Sequence, residues 1–417
     1  MGWHVKPLGE VVTLQRGFDL PKQDRQPGTV PIVSSSGVSG SHSKSRVSAP
    51  GVVTGRYGSI GRVHFIETDF WPLNTTLFVK DFKGNDPRFV AYLLGTIDYA
   101  SCSDKSSVPG VNRNDLHRLS VAVPDLPEQR YIAETLGALD DKIELNRRMR
   151  RTLESIARAI FKSWFVDFDP VRRKMIGCEV RPPESIARLF PDSLCDSELG
   201  EIPQGWRVGA ILDVARLLSG GTPKTGRPEY WNGGIPWASA KDVSQSDASF
   251  LIDTDRTVSK RGLEESATQL ISALCSVVVA RGATTGRMVI LGEAMAMNQT
   301  CYALSSRLGT PLALYCHLRH EIDNLVLAAH GSVFNTITTR TFEESRTVLP
   351  PRQLCEEFDK VVGPFFRCVL ASLRESRNLA TLRDAILPLL VSGKVHVGDG
   401  LPRVAPVVES SSGAGAE

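Results

Sequence analysis

Val53-Thr54-Gly55-Arg56-Tyr57-Gly58-Ser59-Ile60-Gly61-Arg62 is answered 225 residues later by Val278-Val279-Ala280-Arg281-Gly282-Ala283-Thr284-Thr285-Gly286-Arg287. Both stretches carry an apolar run, a glycine-bearing turn and a closing arginine. The chain keeps this interval elsewhere. Pro72-Leu73-Asn74-Thr75-Thr76 matches Ala296-Met297-Asn298-Gln299-Thr300 at 224, and Val111-Asn112 matches Phe334-Asn335 at 223. Pro127-Glu128-Gln129 matches Pro351-Arg352-Gln353 at 224, and Ala159-Ile160-Phe161 matches Ala385-Ile386-Leu387 at 226. Trp3 and Trp206, each after a glycine, head the two halves. A near-constant interval over separated matches marks an internal duplication. A period above 200 residues means two whole modules, not a solenoid.

Each module opens with short β runs bounded by turn residues. In the first these are Gly51–Thr54, Arg62–Ile66, Thr76–Val79 and Leu119–Val123. In the second they are Ser276–Val279, Met288–Leu291 and Thr347–Leu349. The glycine-spaced stretch Gly55–Gly61 precedes β sequence, not a helix, so it is expected to be a hairpin turn and not a phosphate loop.

After Pro124 and Pro350 the period changes from two to about 3.5. Ile132, Leu136, Leu139 and Ile143, then Leu153, Ala157, Ile160 and Trp164, follow alternating spacings of four and three. Leu354, Phe358, Val361 and Phe365, then Leu379, Leu382, Ile386 and Leu389, repeat them. Such seams predict two long helices packed on each other in coiled-coil fashion. The packing positions expected are Ile132, Leu139, Leu153, Ile160, Phe358, Phe365, Leu379 and Ile386. Pro388 is expected to interrupt the end of the second helix.

The 417 residues suit two or three domains, and 41% apolar with 23% charged residues excludes a disordered or fibrous chain. No apolar run reaches the ~18 residues of a membrane span, and the N-terminus has no secretory signal pattern, so a cytoplasmic chain without membrane contact is expected. The cysteines at 102, 178, 195, 275, 301, 316, 355 and 368 have no zinc-like spacing and read as reduced thiols. No metal is expected.

Catalytic signatures are missing: there is no Gly-x-x-x-x-Gly-Lys-[Ser/Thr], no His-Glu-x-x-His and no Gly-x-Ser-x-Gly. His317 and His320 lack a third ligand nearby. Pro124-Asp125 with Asp140-Asp141-Lys142 fits a loose Mg-dependent nuclease pattern. However, Asp140 and Lys142 fall inside the heptad helix, and the second half has Pro351 where Asp125 stands in the first.

A net charge of +3 leaves room for local basic patches. Lys142–Lys174 carries ten basic and four acidic residues, and Arg147-Arg148-Met149-Arg150-Arg151 is its densest part. It is expected to face phosphate or a partner protein. In the loops, Lys44, Arg46, Arg56, Lys105, Asn112 and Arg113 of the first module are candidate DNA contacts. Lys224, Arg227, Lys241, Arg281, Asn335 and Arg340 are those of the second. The recurrences Arg56/Arg281 and Asn112/Asn335 strengthen that reading.

Two globular modules, each followed by a long helix of matching phase, resemble the specificity (S) subunit of type I restriction-modification systems. The resemblance rests on Leu126-Pro127-Glu128-Gln129-Arg130-Tyr131-Ile132-Ala133, on Leu139–Arg148, on Leu153–Pro170 and on Asp196–Trp206. It covers all but the last ~20 residues. It implies an α+β fold with two β-containing target-recognition domains in pseudo-repeat, separated by two long antiparallel coiled-coil-like helices. The implied division is 1–125 and 201–350 for recognition and 126–165 and 351–397 for the helices, while by composition the proline-rich 166–200 reads as an irregular connector and 398–417 as a disordered tail. The resemblance also implies a non-catalytic subunit that reads a bipartite, asymmetric site in double-stranded DNA. Two methyltransferase subunits would dock on it, with restriction subunits added. S-adenosylmethionine, ATP and Mg would serve those partners, with no cofactor bound by this chain. A helix from Pro127 to Phe165 would measure ~58 Å, more than one turn of duplex. The rival expectations are a stand-alone nuclease and a structural adaptor that does not bind DNA.

Overall fold

The computed structural model describes residues 2–99, 101, 110–179, 182–328 and 336–395. They form two compact units, Met1–Lys142 with Asn378–Glu417, and Ile143–Arg377. Both divisions fall inside helices of 40 residues, Leu126–Phe165 and Arg352–Val391.

In the first unit the opening strand His4–Pro7 pairs antiparallel with Ser120–Val123, so the module is clasped by its own ends where the long helix begins. In the second, Arg207–Ala210 pairs with Arg346–Leu349 in the same way. Inside the clasps the sheets run in the same order. The first unit has Thr13–Arg16, Thr76–Asp81, Gly51–Gly55 and Val63–Ile66. The second has Ala215–Ser219, Cys301–Ser306, Ser276–Val279 and Met288–Leu291, extended by Phe250–Leu251. Val52, Val53 and Val277–Val279 are buried because these inner strands are covered on both faces.

A smaller sheet is also duplicated. Gly37–His42, Val30–Ser34 and Trp71–Pro72 build it in the first unit. Thr257–Val258, Trp231–Ala238, Met295–Met297 and Leu270–Ile271 build it in the second. Each contains one parallel pair. The glycine-spaced stretches are hairpin turns as expected, joining antiparallel strands, with Gly58, Gly61, Gly282 and Gly286 at positive φ.

The long helices are antiparallel. In the first unit Ile132 and Leu136 share a core with Ile386, Leu387, Leu390 and Val391. In the second unit Ala157, Phe161 and Trp164 share one with Leu354, Phe358, Val362 and Phe366. The sequence seam needs correction in phase. Leu153, Ile160 and Phe365 are half-buried, Leu139 and Leu379 lie outside the apolar clusters, and Leu382 and Leu389 are exposed. A 3.6-residue helix drifts from a strict 3.5 repeat, and each helix also covers a sheet domain, so the buried stripe widens and rotates.

Between the two apolar stretches, the seam within the second unit is polar. Asn146, Arg150, Ser372 and Ser376 are all buried. Asn146 Nδ2 donates to Glu375 Oε2 (2.7 Å) and Arg150 Nη1 to Ser376 Oγ (3.1 Å).

Pro388 does not end the second helix, which runs on to Val391; burial of Leu390 and Val391 offsets the lost hydrogen bond. The 166–200 segment is not an irregular connector. It holds helices Asp169–Met175 and Glu184–Ala187 and, from Leu194, a hairpin onto Gly200–Pro203. Phe168, Val171, Ile186 and Phe190 anchor it in the second unit's core, outweighing its prolines. The 398–417 tail lies outside the described residues. No described helix is long and apolar enough to cross a membrane.

Candidate nucleic-acid interface

The module that precedes the first long helix carries a basic cleft of about 430 Å³ lined by Arg16, Arg56, Tyr57, Asn112 and Arg113. The main chain brings these together. Arg56 N–H donates to the Thr75 carbonyl and Val111 N–H to the Arg56 carbonyl, while Tyr57 bridges Gly110. The Arg56 guanidinium lies over the Tyr57 ring at 4.6 Å, which holds it extended. Arg16, at the exposed end of its strand, was not selected from sequence, because nothing local marks one arginine among 49 basic residues.

Asn112 has a structural task at this site. It is the N-cap of helix Arg113–Arg118, its side chain accepting from Asn114 N–H. Lys44 is exposed just beyond the small sheet. Arg46 stacks its guanidinium on Trp71 at 5.1 Å and on Phe18 at 5.6 Å. Lys105 lies outside the described residues, as does Asn335.

In the second unit most candidate cations are neutralised locally. Arg227 donates to the Tyr230 hydroxyl (2.7 Å), which donates to Glu265, and Arg227 also lies near Glu265 at 3.8 Å. The Tyr230 hydroxyl and Arg261 hold the Glu265 carboxyl below its ordinary range. Lys241 pairs with Asp255, and Arg340 with Glu344 at 2.5 Å. Arg281 is exposed and bridges Thr336, and Lys224 is exposed with its carbonyl accepting from Trp231 Nε1. A further cation, Arg256, was missed in sequence. Its guanidinium sits 3.4 Å from the centre of the Trp231 ring and 5.7 Å from that of Trp237.

Hydrogen bonding also corrects the recurrences. Val111 N–H donates to the Arg56 carbonyl, and Ile337 N–H to the Ala280 carbonyl. Arg56 is thus equivalent to Ala280 and Tyr57 to Arg281, while Asn112 is equivalent to Thr338, which caps the helix Thr339–Glu344. The second turn is one residue longer than the first, and this displaces a match made by residue type.

The basic stretch at 147–151 is partly structural. Arg150 is buried, and Arg147 reaches Asp247 at 3.2 Å and Glu144 at 3.8 Å. Arg148 also lies near Glu144. A dense run on a helix faces several directions, and two of these arginines face the domain. The nuclease pattern is not assembled. Asp125 receives the Glu128 N–H at the start of the helix, and Asp140 lies roughly 20 Å along it. The Asp140 carboxylate accepts from the Tyr92 hydroxyl (2.5 Å) and pairs with Arg383 (2.6 Å). His317 is bonded to Thr347 Oγ1 and His320 to Asn324.

The Leu126-Pro127-Glu128-Gln129 motif has a physical reason. Gln129 is buried, donates to Asn85 Oδ1 (2.8 Å) and to the Pro124 carbonyl (2.9 Å), and accepts from Asp86 N–H (3.0 Å). It fastens the module to the helix that leaves it.

Comparison with known proteins adds four findings. The family described as the type I restriction modification DNA specificity domain matches residues 1–155 and again 203–356. The chain is 26% identical over 395 residues to the HindI specificity subunit of Haemophilus influenzae, covering 80% of this chain and 84% of that one. It is 24% identical over 299 residues to the MjaIX specificity subunit of Methanocaldococcus jannaschii, 71% of this chain and 65% of that one. Its fold is similar to the crystal structure of the type I restriction-modification S subunit from M. genitalium, with a TM-score of 0.58, 15% identity and coverage of 94% and 96%.

Proposed function

This chain belongs to the family of type I restriction-modification DNA specificity subunits, and on that premise we propose that its two units each read one half of a bipartite, asymmetric DNA site. The observation that carries this reading is the duplication. The same sheet order, clasp and hairpin occur twice, and the family match occurs twice with them. Two readers with different loops suit an asymmetric site. In the first unit the cleft of Arg16, Arg56 and Arg113 serves the phosphate backbone, and the exposed Lys44 is a further candidate for such a contact. In the second, Arg281 and Lys224 do so.

The chain itself is the non-catalytic member of the assembly. Two methyltransferase subunits dock on the long helices and their flanks, and restriction subunits join them in the cytoplasm. S-adenosylmethionine, ATP and Mg belong to those partners. The test is to co-express the chain with its methyltransferase subunit and incubate the complex with a randomised duplex library. The retained DNA is then sequenced. A split motif with a fixed unread spacer supports the reading. A contiguous motif removes the two-reader arrangement, and no enrichment with an intact complex favours an adaptor.

A further inference from the structure

Both units build an arginine–indole stack on the small sheet beside its parallel pair, and they do it with residues that are not equivalent in sequence. The parallel pair of the small sheet defines that place. In the first unit Leu73 N–H donates to the Val33 carbonyl; in the second Asn298 N–H donates to the Ala238 carbonyl. One residue earlier the cross-strand partners are Ile32 with Trp71, and Trp237 with Ala296. The large and the small residue have changed strands, yet each unit keeps one indole at this register. In the first, Arg46 lies on Trp71 and Phe18. In the second, Arg256 lies on Trp231 and beside Trp237, whose rings meet edge to face at 5.2 Å.

The platforms are rigid and the cations on them are not consumed. Trp71, Trp231 and Trp237 are all buried, and Trp237 Nε1 is held by the Gly221 carbonyl at 3.1 Å. Arg46 and Arg256 are exposed residues. Neither has an ion pair among the described residues, whereas Arg227, Lys241, Arg261 and Arg340 are all paired with carboxylates of their own unit. A guanidinium held over an indole loses little freedom on binding, and with no carboxylate partner among the described residues its N–H groups remain available to a ligand. Their fork matches guanine O6 and N7 as a bidentate pair, which an ammonium cannot reproduce.

We propose that Arg46 and Arg256 are the specificity-determining residues that each read a guanine, one in each half-site. The inference rests on the two-reader function above and adds the base and the side chain.

The experiment uses the full chain co-expressed with its methyltransferase subunit and the randomised library. The wild type is compared with Arg46→Ala, Arg256→Ala and the two lysine variants. The wild-type motif is expected to hold a G·C pair in each half. Arg46→Ala is expected to make one such position degenerate, with a roughly 10- to 100-fold loss of preference for guanine. The other half-site stays intact and reports that the complex is folded. Arg256→Ala is expected to do the converse. Lysine keeps the charge and the aliphatic stem, so those variants are expected to bind while losing the same guanine. If Arg46→Ala erases a whole half-site, the lysine variant decides the matter in the same way. Uniform weakening across sequences, rescued by lysine, would make these phosphate contacts and overturn the proposal, as would unchanged motifs. A wild-type half-site without any G·C pair would also overturn it. A wild type that yields no split motif fails the two-reader function itself.

Discussion

Asn112 shows how a residue chosen for base reading acquires a different role once its hydrogen bonds are known. Its side chain caps a helix, and Thr338 does the same at the equivalent position of the other unit. Asn112→Thr is therefore expected to leave unit stability and DNA retention unchanged. Asn112→Ala is expected to cost about 1 kcal/mol of that unit's stability, read by urea unfolding. The amide was visible in the sequence; its partner was not, because a cap is a matter of backbone angles.

His317 makes a second case. Burial, with His320 near it, pushes its imidazole down to about 4, and its Nε2 meets Thr347 Oγ1, which in turn donates to Glu321. The folded state resists the proton that the unfolded chain accepts below about 6.5. Stability is thus full above that pH and is lost as pH falls toward 4. The melting temperature of the wild type should drop more steeply over this window than that of His317→Gln. Parallel slopes would refute it.

At the scale of elements, the existence of the long helices was legible, because eight apolar positions per helix recur at four-three spacing, whereas their antiparallel direction came from the family resemblance. Their interface was only half legible. A pattern of apolar residues marks where a helix is dry, but it does not show that Asn146, Arg150, Ser372 and Ser376 fill the seam between the dry stretches. Buried polar pairs of this kind select a register at a cost in stability. Arg150→Ala is expected to destabilise the 143–377 unit by about 1–3 kcal/mol in denaturant unfolding. Replacing both Asn146 and Ser372, which are buried in the seam, with Leu should raise stability while permitting more than one helix register, detected by cysteine cross-linking along the pair. A single register in that variant would show that the apolar ends suffice.

For the whole molecule, the duplication was readable and its exact correspondence was not. Residue types aligned Arg56 with Arg281 and Asn112 with Asn335. The ladders align Arg56 with Ala280 and Asn112 with Thr338. Single-residue insertions between the strands leave the sheet untouched and mislead a reading by letters. The modular prediction is that exchanging loops within residues 1–125 alters one half of the DNA motif only. Shortening both long helices by two turns is expected to change the unread spacer, and an unaltered spacer would end the idea of the helices as a ruler.

The polar seam has one more consequence. A chain made of two copies of one ancestral piece runs the risk that like pairs with like, within a molecule or between molecules. Here the earlier helix contributes Asn146 and Arg150, and the later one Ser372, Glu375 and Ser376. Each helix offers the seam a set of polar groups that the other does not carry. The halves have thus become complementary, like plug and socket: donors on the earlier helix, Asn146 and Arg150, meet acceptors on the later one, Glu375 and Ser376.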